Sequence, residues 1–405
     1  MTGLAGPAGP AGSAAGADDG ERLARAALTR IAEPGTAALV RAADRLGAAA
    51  VWAAVRGEAG APDLDADLLE LLRKHPAEFP PERDLELAAG LGARFICPQD
   101  DEWPAGLAVL GESEPLGLWV RGGAPVGAVL ERSVAVVGAR AATAYGGHVA
   151  SEIAYGLAGR GWAVVSGGAF GIDALAHRGA LAGGGITVAV LACGVDVPYP
   201  RSHDRLFGRI TEEGLILSEW PPGMAPRPHR FLVRNRVIAA VTAGTVVVEG
   251  AVRSGALNTG RAARKLGRAL MVVPGPVTSA MSAGCHVLLR EEGTRCVTNV
   301  AEVIEEVGRL GDDLSPRPEG ERRDRDALST TVRGVLEAVP SLRPAGPAVL
   351  ASRAGVDLVV LRRSLNELIE AGFVELTDEG FRLSTAERQA VRDRRKGQEV
   401  LAAEP

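Results

Sequence analysis

Three clusters in this 405-residue chain combine residue types and spacings that could do chemistry. Two are glycine-rich turns that each end an apolar run: Ser133-Val-Ala-Val-Val-Gly-Ala-Arg140, continuing to Thr143, and Ala163-Val-Val-Ser-Gly-Gly-Ala-Phe-Gly-Ile-Asp173, which contains Ser166, Gly167 and Gly168. Glycines let backbone N–H groups approach a ligand, and a helix N-terminus adds partial positive charge. Together they make a phosphate seat. The third cluster is Pro228-His-Arg-Phe-Leu-Val-Arg-Asn-Arg236, which sets Phe231, Arg234, Asn235 and Arg236 together. With an apolar helix over Val237 to Val241, it places Arg234 and Arg236 at a helix start. Cations that follow a phosphate backbone beside a ring that accepts a base face suit a single strand. The alternative is an arginine pair bridging structural carboxylates.

A fourth stretch, Val246 to Thr259, again runs from apolar strand to small-residue turn to helix. Ser254, Gly255 and Thr259 offer N–H and hydroxyl donors to an anion, or cap the helix. Neither opening turn carries the Lys-Ser/Thr pair of a P-loop or a G-x-G-x-x-G with an acidic residue about twenty positions on. ATP hydrolysis and NAD binding are both disfavoured. Asp173, at a helix start, reads as a cap, and His177 four residues on shares its face and could pair with it. Cys193 has no activating base in sequence, and Cys285-His286 lacks further ligands at metal spacing. No catalytic residue, metal or cofactor is expected.

The elements that must position these residues follow from the apolar pattern. Short, nearly continuous apolar runs near 134–137, 163–166, 187–192, 215–218, 245–249 and 269–273 alternate with helical patterns. That is an α/β, Rossmann-like, mostly parallel sheet with helices on both faces, whose ligands sit beyond the strand C-terminal ends. Residues 1–20 read as a disordered tail, 21–75 as a small helix-hairpin-helix-like module, 76–129 as a connecting segment and 130–308 as the Rossmann-like domain. Residues 309–326 read as a charged linker, 327–384 as a winged-helix domain of three helices and a hairpin, and 385–405 as a charged tail.

The formal net charge is −5, which alone argues against a nucleic-acid binder. Residues 131–300 carry 18 Arg+Lys against 11 Asp+Glu, however, so they stand at +7 and the remainder at −12. The positive charge lies where the turns are. Four cysteines without C-x-x-C spacing, no signal-type opening and no apolar run near the ~20 residues of a membrane span read as a reduced, soluble, cytoplasmic protein.

The ordered motifs GARxxTxYG, SGGAxGID, CGxDxxYP, RNRxIA, SGALxT and SxG resemble those of the bacterial DprA/Smf (DNA processing protein A) family, densely over residues 130 to about 300. Cys285-His286 departs from the Thr-Asn-like pair of many relatives. The resemblance implies a homodimeric, non-catalytic protein that binds single-stranded DNA and loads RecA recombinase onto it in natural transformation. By position, it implies Arg140 as the first-turn arginine of the DNA groove, Ser166, Gly167 and Gly168 as the phosphate-facing turn, and Arg234 and Arg236 as the basic cluster. Phe231 as a stacking ring is added from the residues themselves, and Thr143, Asn235, Ser254 and Gly255 complete the expected DNA-binding set. The alternative is a nucleotide-handling hydrolase of the lysine-decarboxylase-like phosphoribohydrolase type. Its PGGxGTxxE string is missing, and Glu249-Gly250 is the nearest approach.

Overall fold

The computed structural model describes residues 13–60, 65–74, 80–308 and 324–392. The expected disordered tail, linker and charged tail therefore lie outside it at 1–12, 309–323 and 393–405. Residues 13–20, expected to lack structure, begin the helix Ser13–Ile31. The chain forms two compact units, Met1–Pro316 and Arg317–Pro405.

In the first unit the helix Ser13–Ile31 packs with Ala37–Leu46, Ala48–Arg56 and Ala66–Arg73 around Leu28, Leu39, Val51, Trp52 and Leu72. A single residue, Gly47, joins the second helix to the third. It sits at φ +83°, a conformation that costs a β-carbon dearly. Glycine has no side chain with which to cap, so Glu21 does it instead, accepting the N–H groups of Ala48 and Ala49, each at 3.0 Å.

Nine strands form one sheet: β1 (Ala93–Ile96), β2 (Leu118–Arg121), β3 (Ser133–Val137), β4 (Ala163–Ser166), β5 (Thr187–Leu191), β6 (Leu215–Ser218), β7 (Gly244–Val247), β8 (Ala269–Val272) and β9 (Thr294–Cys296). Their order is β1-β2-β6-β5-β4-β3-β7-β8-β9, parallel from β6 to β9. Alternation divides the strand residues between two cores: Val134 and Val136 face one, Ala135 and Val137 the other. Both faces are covered, as the unbroken apolar strands require.

Residues 76–129 differ from the expected connecting segment, because β1 and β2 extend the sheet antiparallel beyond β6. Phe95 packs on Trp119 at 4.8 Å between ring centroids, and Leu107, Leu118 and Val120 are fully buried. This stretch is part of the core.

The second unit holds the helices Thr330–Ala338, Pro347–Ala354 and Leu358–Glu370, then the hairpin strands β10 (Val374–Thr377) and β11 (Gly380–Leu383). Val335, Leu350, Leu361, Leu365 and Leu368 form its core, and a bridge from Ala345 to Phe381 ties the hairpin to the loop between the first two helices. This is the element order of a winged helix. Among the described residues no helix is long and apolar enough to cross a membrane.

Candidate nucleic-acid interface

The sheet reverses direction of growth at β3, since β4 lies on one side of it and β7, far later in sequence, on the other. Loops leaving adjacent strands there diverge, and a crevice opens beyond their C-terminal ends. In this chain it is a cleft of about 480 Å³ lined by Gly138 to Ala141 after β3, Ala169 after β4, and Ala251, Ser254 and Gly255 after β7. One wall is the helix Pro228–Val241, which contributes Phe231, Leu232, Arg234 and Asn235.

Arg140 is exposed, has no carboxylate partner among the described residues, and lies with its guanidinium carbon 5.2 Å from the centre of the Phe231 ring. Tyr199 approaches the same ring at 5.5 Å and is 44% exposed. Phe170, 49% exposed, sits edge-on to His203 at 4.9 Å. Aromatic side chains are only 4% of the chain, yet Phe231 on the helix wall, Tyr199 packed on it and Phe170 in the turn after β4 are each partly exposed, against the ordinary preference for burial. The sequence pattern singles out Phe231 and passes over Phe170 and Tyr199. Their signal is an aromatic inside a small-residue turn, SGGAFG and VPYP.

On the β7 side, Ser254 caps the helix Gly255–Lys265, accepting the Ala256 N–H at 3.2 Å. The first N–H of that helix, at Gly255, has no intrahelical acceptor and borders the cleft. Asn235 joins the two walls by donating its Nδ2 to the Gly255 carbonyl at 3.4 Å.

The arginine cluster differs from expectation. Its helix begins at Pro228, not near Arg234, because proline suits the first helical position. Arg234 and Arg236 are therefore mid-helix and point to different places. Arg234 lines the cleft but is 5% exposed; it donates to the carbonyls of Gly167, at 2.8 Å, and of Val190, and to Asn235 Oδ1. Burial depresses its pKa to about 10, with the Asp173 carboxylate pulling the other way. Arg236 is turned from the cleft and forms a two-pronged ion pair with buried Glu219 at 2.6 and 2.7 Å. That is the carboxylate-bridging alternative. Arg230 is likewise structural, pairing with Glu33 at 2.6 Å while lying over Trp220.

The second turn also differs from a phosphate-facing loop. Ser166 is fully buried and donates to the Val136 carbonyl at 2.7 Å. Asp173 accepts the N–H groups of Gly167 and Ala169, at 3.2 and 3.4 Å, so those donors are already occupied. Gly168, at φ +70°, makes the bend itself, and a β-carbon there would meet Phe207 at 2.7 Å. Burial raises the Asp173 pKa, against the pull of Arg234 and the turn N–H groups.

Thr143 is engaged too. Its hydroxyl caps the helix Ala144–Ala158 and donates to Glu249 at 2.6 Å, while its N–H donates to the other carboxylate oxygen at 2.9 Å. Glu249 thus fixes the loop that carries Arg140, and its carboxylate faces Thr143, not the cleft. His177 does not pair with Asp173. Thr187 Oγ donates to the Val164 carbonyl, so it must accept from His177 Nδ1–H at 2.7 Å, leaving Nε2 buried with no partner. Burial drives the His177 pKa to about 3, which removes it from proton transfer near neutrality. Cys193 Sγ–H donates to the Val197 carbonyl, and burial pushes its pKa up to about 12. His286 Nε2 lies 3.0 Å from the Gly275 carbonyl, and the Cys285 thiol is buried against Val248.

The sequence family described as DNA recombination-mediator protein A matches residues 94–308, a span that begins in β1. A Mycobacterium tuberculosis protein named for DNA processing, DprA, is 48% identical over 315 residues, 75% of this chain and 80% of that one. The DNA processing protein DprA of Streptococcus pneumoniae is 41% identical over 173 residues, 43% of this chain and 61% of that one. The X-ray structure of DNA processing protein A from Streptococcus pneumoniae aligns with a TM-score of 0.60 at 28% identity, covering 72% of this chain and 98% of that one.

Proposed function

We propose that this chain, which belongs to the DNA recombination-mediator protein A (DprA/Smf) family, binds single-stranded DNA across the β3/β4/β7 cleft and delivers the strand to RecA recombinase. The observation that carries the reading is Arg140, without a carboxylate partner among the described residues, lying over Phe231 in the cleft, with Tyr199 packed on the same ring. The cation tracks a phosphate while the rings accept bases whose faces a duplex would hide. Arg234 and Asn235 build the wall from behind. Ser254 and Gly255 present a helix start to a second phosphate.

Recombination-mediator membership favours RecA as the recipient of the strand, in DNA uptake and natural transformation, with the protein acting as a homodimer and without catalytic turnover. The hydrolase alternative is weakened, because both oxygens of Glu249 are engaged by Thr143 and the residue does not line the cleft. The reading is tested by fluorescence anisotropy of labelled oligo-dT and matched duplex at two salt concentrations, then by the rate of RecA filament formation on the same strand. It requires a salt-sensitive preference for the single strand and faster RecA assembly. Equal affinity for both forms would overturn it.

A further inference from the structure

The second unit has a surface that the cleft does not use. Residues 327–384 hold six arginines against seven acidic residues, a net of −1, where a reader of DNA needs cations to displace counterions. The helix Leu358–Glu370 occupies the position of a recognition helix, and its start is the end such a helix presents to base edges. Here that start is Asp357, capping the N–H groups of Val359 and Val360, followed by exposed Leu358 and by Val359 at 80% exposure. The wing tip is Asp378-Glu379, both exposed. This unit also holds five of the fifteen large apolar residues exposed across the described chain: Leu342, Val349, Leu358, Val359 and Leu376.

The cations of this unit are sorted. Arg382 and Arg388 are paired with Glu375, and Arg325 with Glu387. Arg343, Arg353, Arg362 and Arg363 are exposed and have no carboxylate partner among the described residues. Each stands by an exposed apolar side chain: Arg343 follows Leu342, and Val349/Arg353, Leu358/Arg362 and Val359/Arg363 are four-residue neighbours on helix faces. Exposed apolar anchors beside arginines that lack carboxylate partners among the described residues have the composition of a protein interface, not of a phosphate track.

We propose that the start of the helix Leu358–Glu370 docks an acidic amphipathic segment of another protein, its apolar residues seated on Leu358 and Val359 and its carboxylates on Arg362 and Arg363. Charge complementarity selects this occupant. The inference stands independently of the cleft.

The test uses the full chain and a fluorescein-labelled helical peptide with leucines every three to four residues and glutamates between them. Anisotropy should show saturable binding that weakens about tenfold or more in Val359→Asp and in Arg363→Glu, while binding of oligo-dT is unchanged. Changing one peptide glutamate at a time to lysine should identify a position at which the swap restores affinity to Arg363→Glu. Three results would overturn the proposal: equal peptide binding by Val359→Asp, loss of duplex DNA affinity in that variant, or loss of self-association by sedimentation. The last two would assign the face to DNA or to a second copy of the chain.

Discussion

Replacing Arg234 by alanine separates a buried structural cation from a DNA contact. The guanidinium donates to two carbonyls, Gly167 and Val190, and it is the cation that pulls on the buried Asp173 carboxyl. Hydrogen bonds from a charged donor are each worth about 1.5–3 kcal/mol, and stripping one partner from a buried charged arrangement costs about 3–5 kcal/mol. A loss of that size takes much of the ~5–15 kcal/mol by which a domain is stable. Urea unfolding followed by tryptophan emission should show it, since Trp162 and Trp220 are buried in the same unit. Arg234→Lys should fall between, because one ammonium cannot reproduce the fork. The linkage has a sign. A carboxyl raised by burial binds its proton more tightly folded than unfolded, so stability falls as pH rises from the ordinary carboxylate value through the raised one. Without Arg234 that fall should extend to higher pH. An Arg234→Ala protein with unchanged stability and lost affinity for single strands would refute the reasoning, making Arg234 a phosphate ligand.

Three further outcomes follow from the same contacts. His177, held neutral with a pKa near 3, should cost stability as pH drops below its unfolded value of 6.5, roughly 3 kcal/mol by pH 4, and His177→Gln should flatten that slope in acid unfolding curves. Tyr199→Ala and Phe170→Ala should each weaken oligo-dT binding about five- to a hundredfold, the value of one base stack, with melting temperatures little changed because both rings are half exposed. Glu249→Ala, which frees Thr143 and loosens the Arg140 loop, should lower single-strand affinity. Neither it nor the parent should release free base from nucleoside monophosphates, and such release would revive the hydrolase reading.

The parallel strands were legible as runs of Val, Ala and Leu: β4 and β6 fall on the expected residues. β1 and β2 were not, although Leu118, Trp119 and Val120 are fully buried, because the Trp103-Pro104 pair and the glycines between them read as a loop. The cleft was legible as a place, from glycine turns after strands. The work of each arginine within it was not. Arg234 and Arg236 stand two apart on one helix, which turns them about 200° from each other. Only the position of Glu219, on another element, decides that Arg236 is consumed. Asp173 was legible as a cap, yet it serves the N–H groups of the turn before it, a closure that sequence spacing does not reveal.

Arg140 and Phe231 are the residues on which a single strand would lie, and the most direct measurement is the salt dependence of oligo-dT affinity for Arg140→Ala and Phe231→Ala beside the parent. Arg140→Ala should bind more weakly, with its log–log salt slope reduced by about 0.7, the value of one single-strand phosphate. Phe231→Ala should lose affinity at every salt concentration with the slope unchanged. Parental affinity and slope in both variants would show that the strand does not cross this cleft.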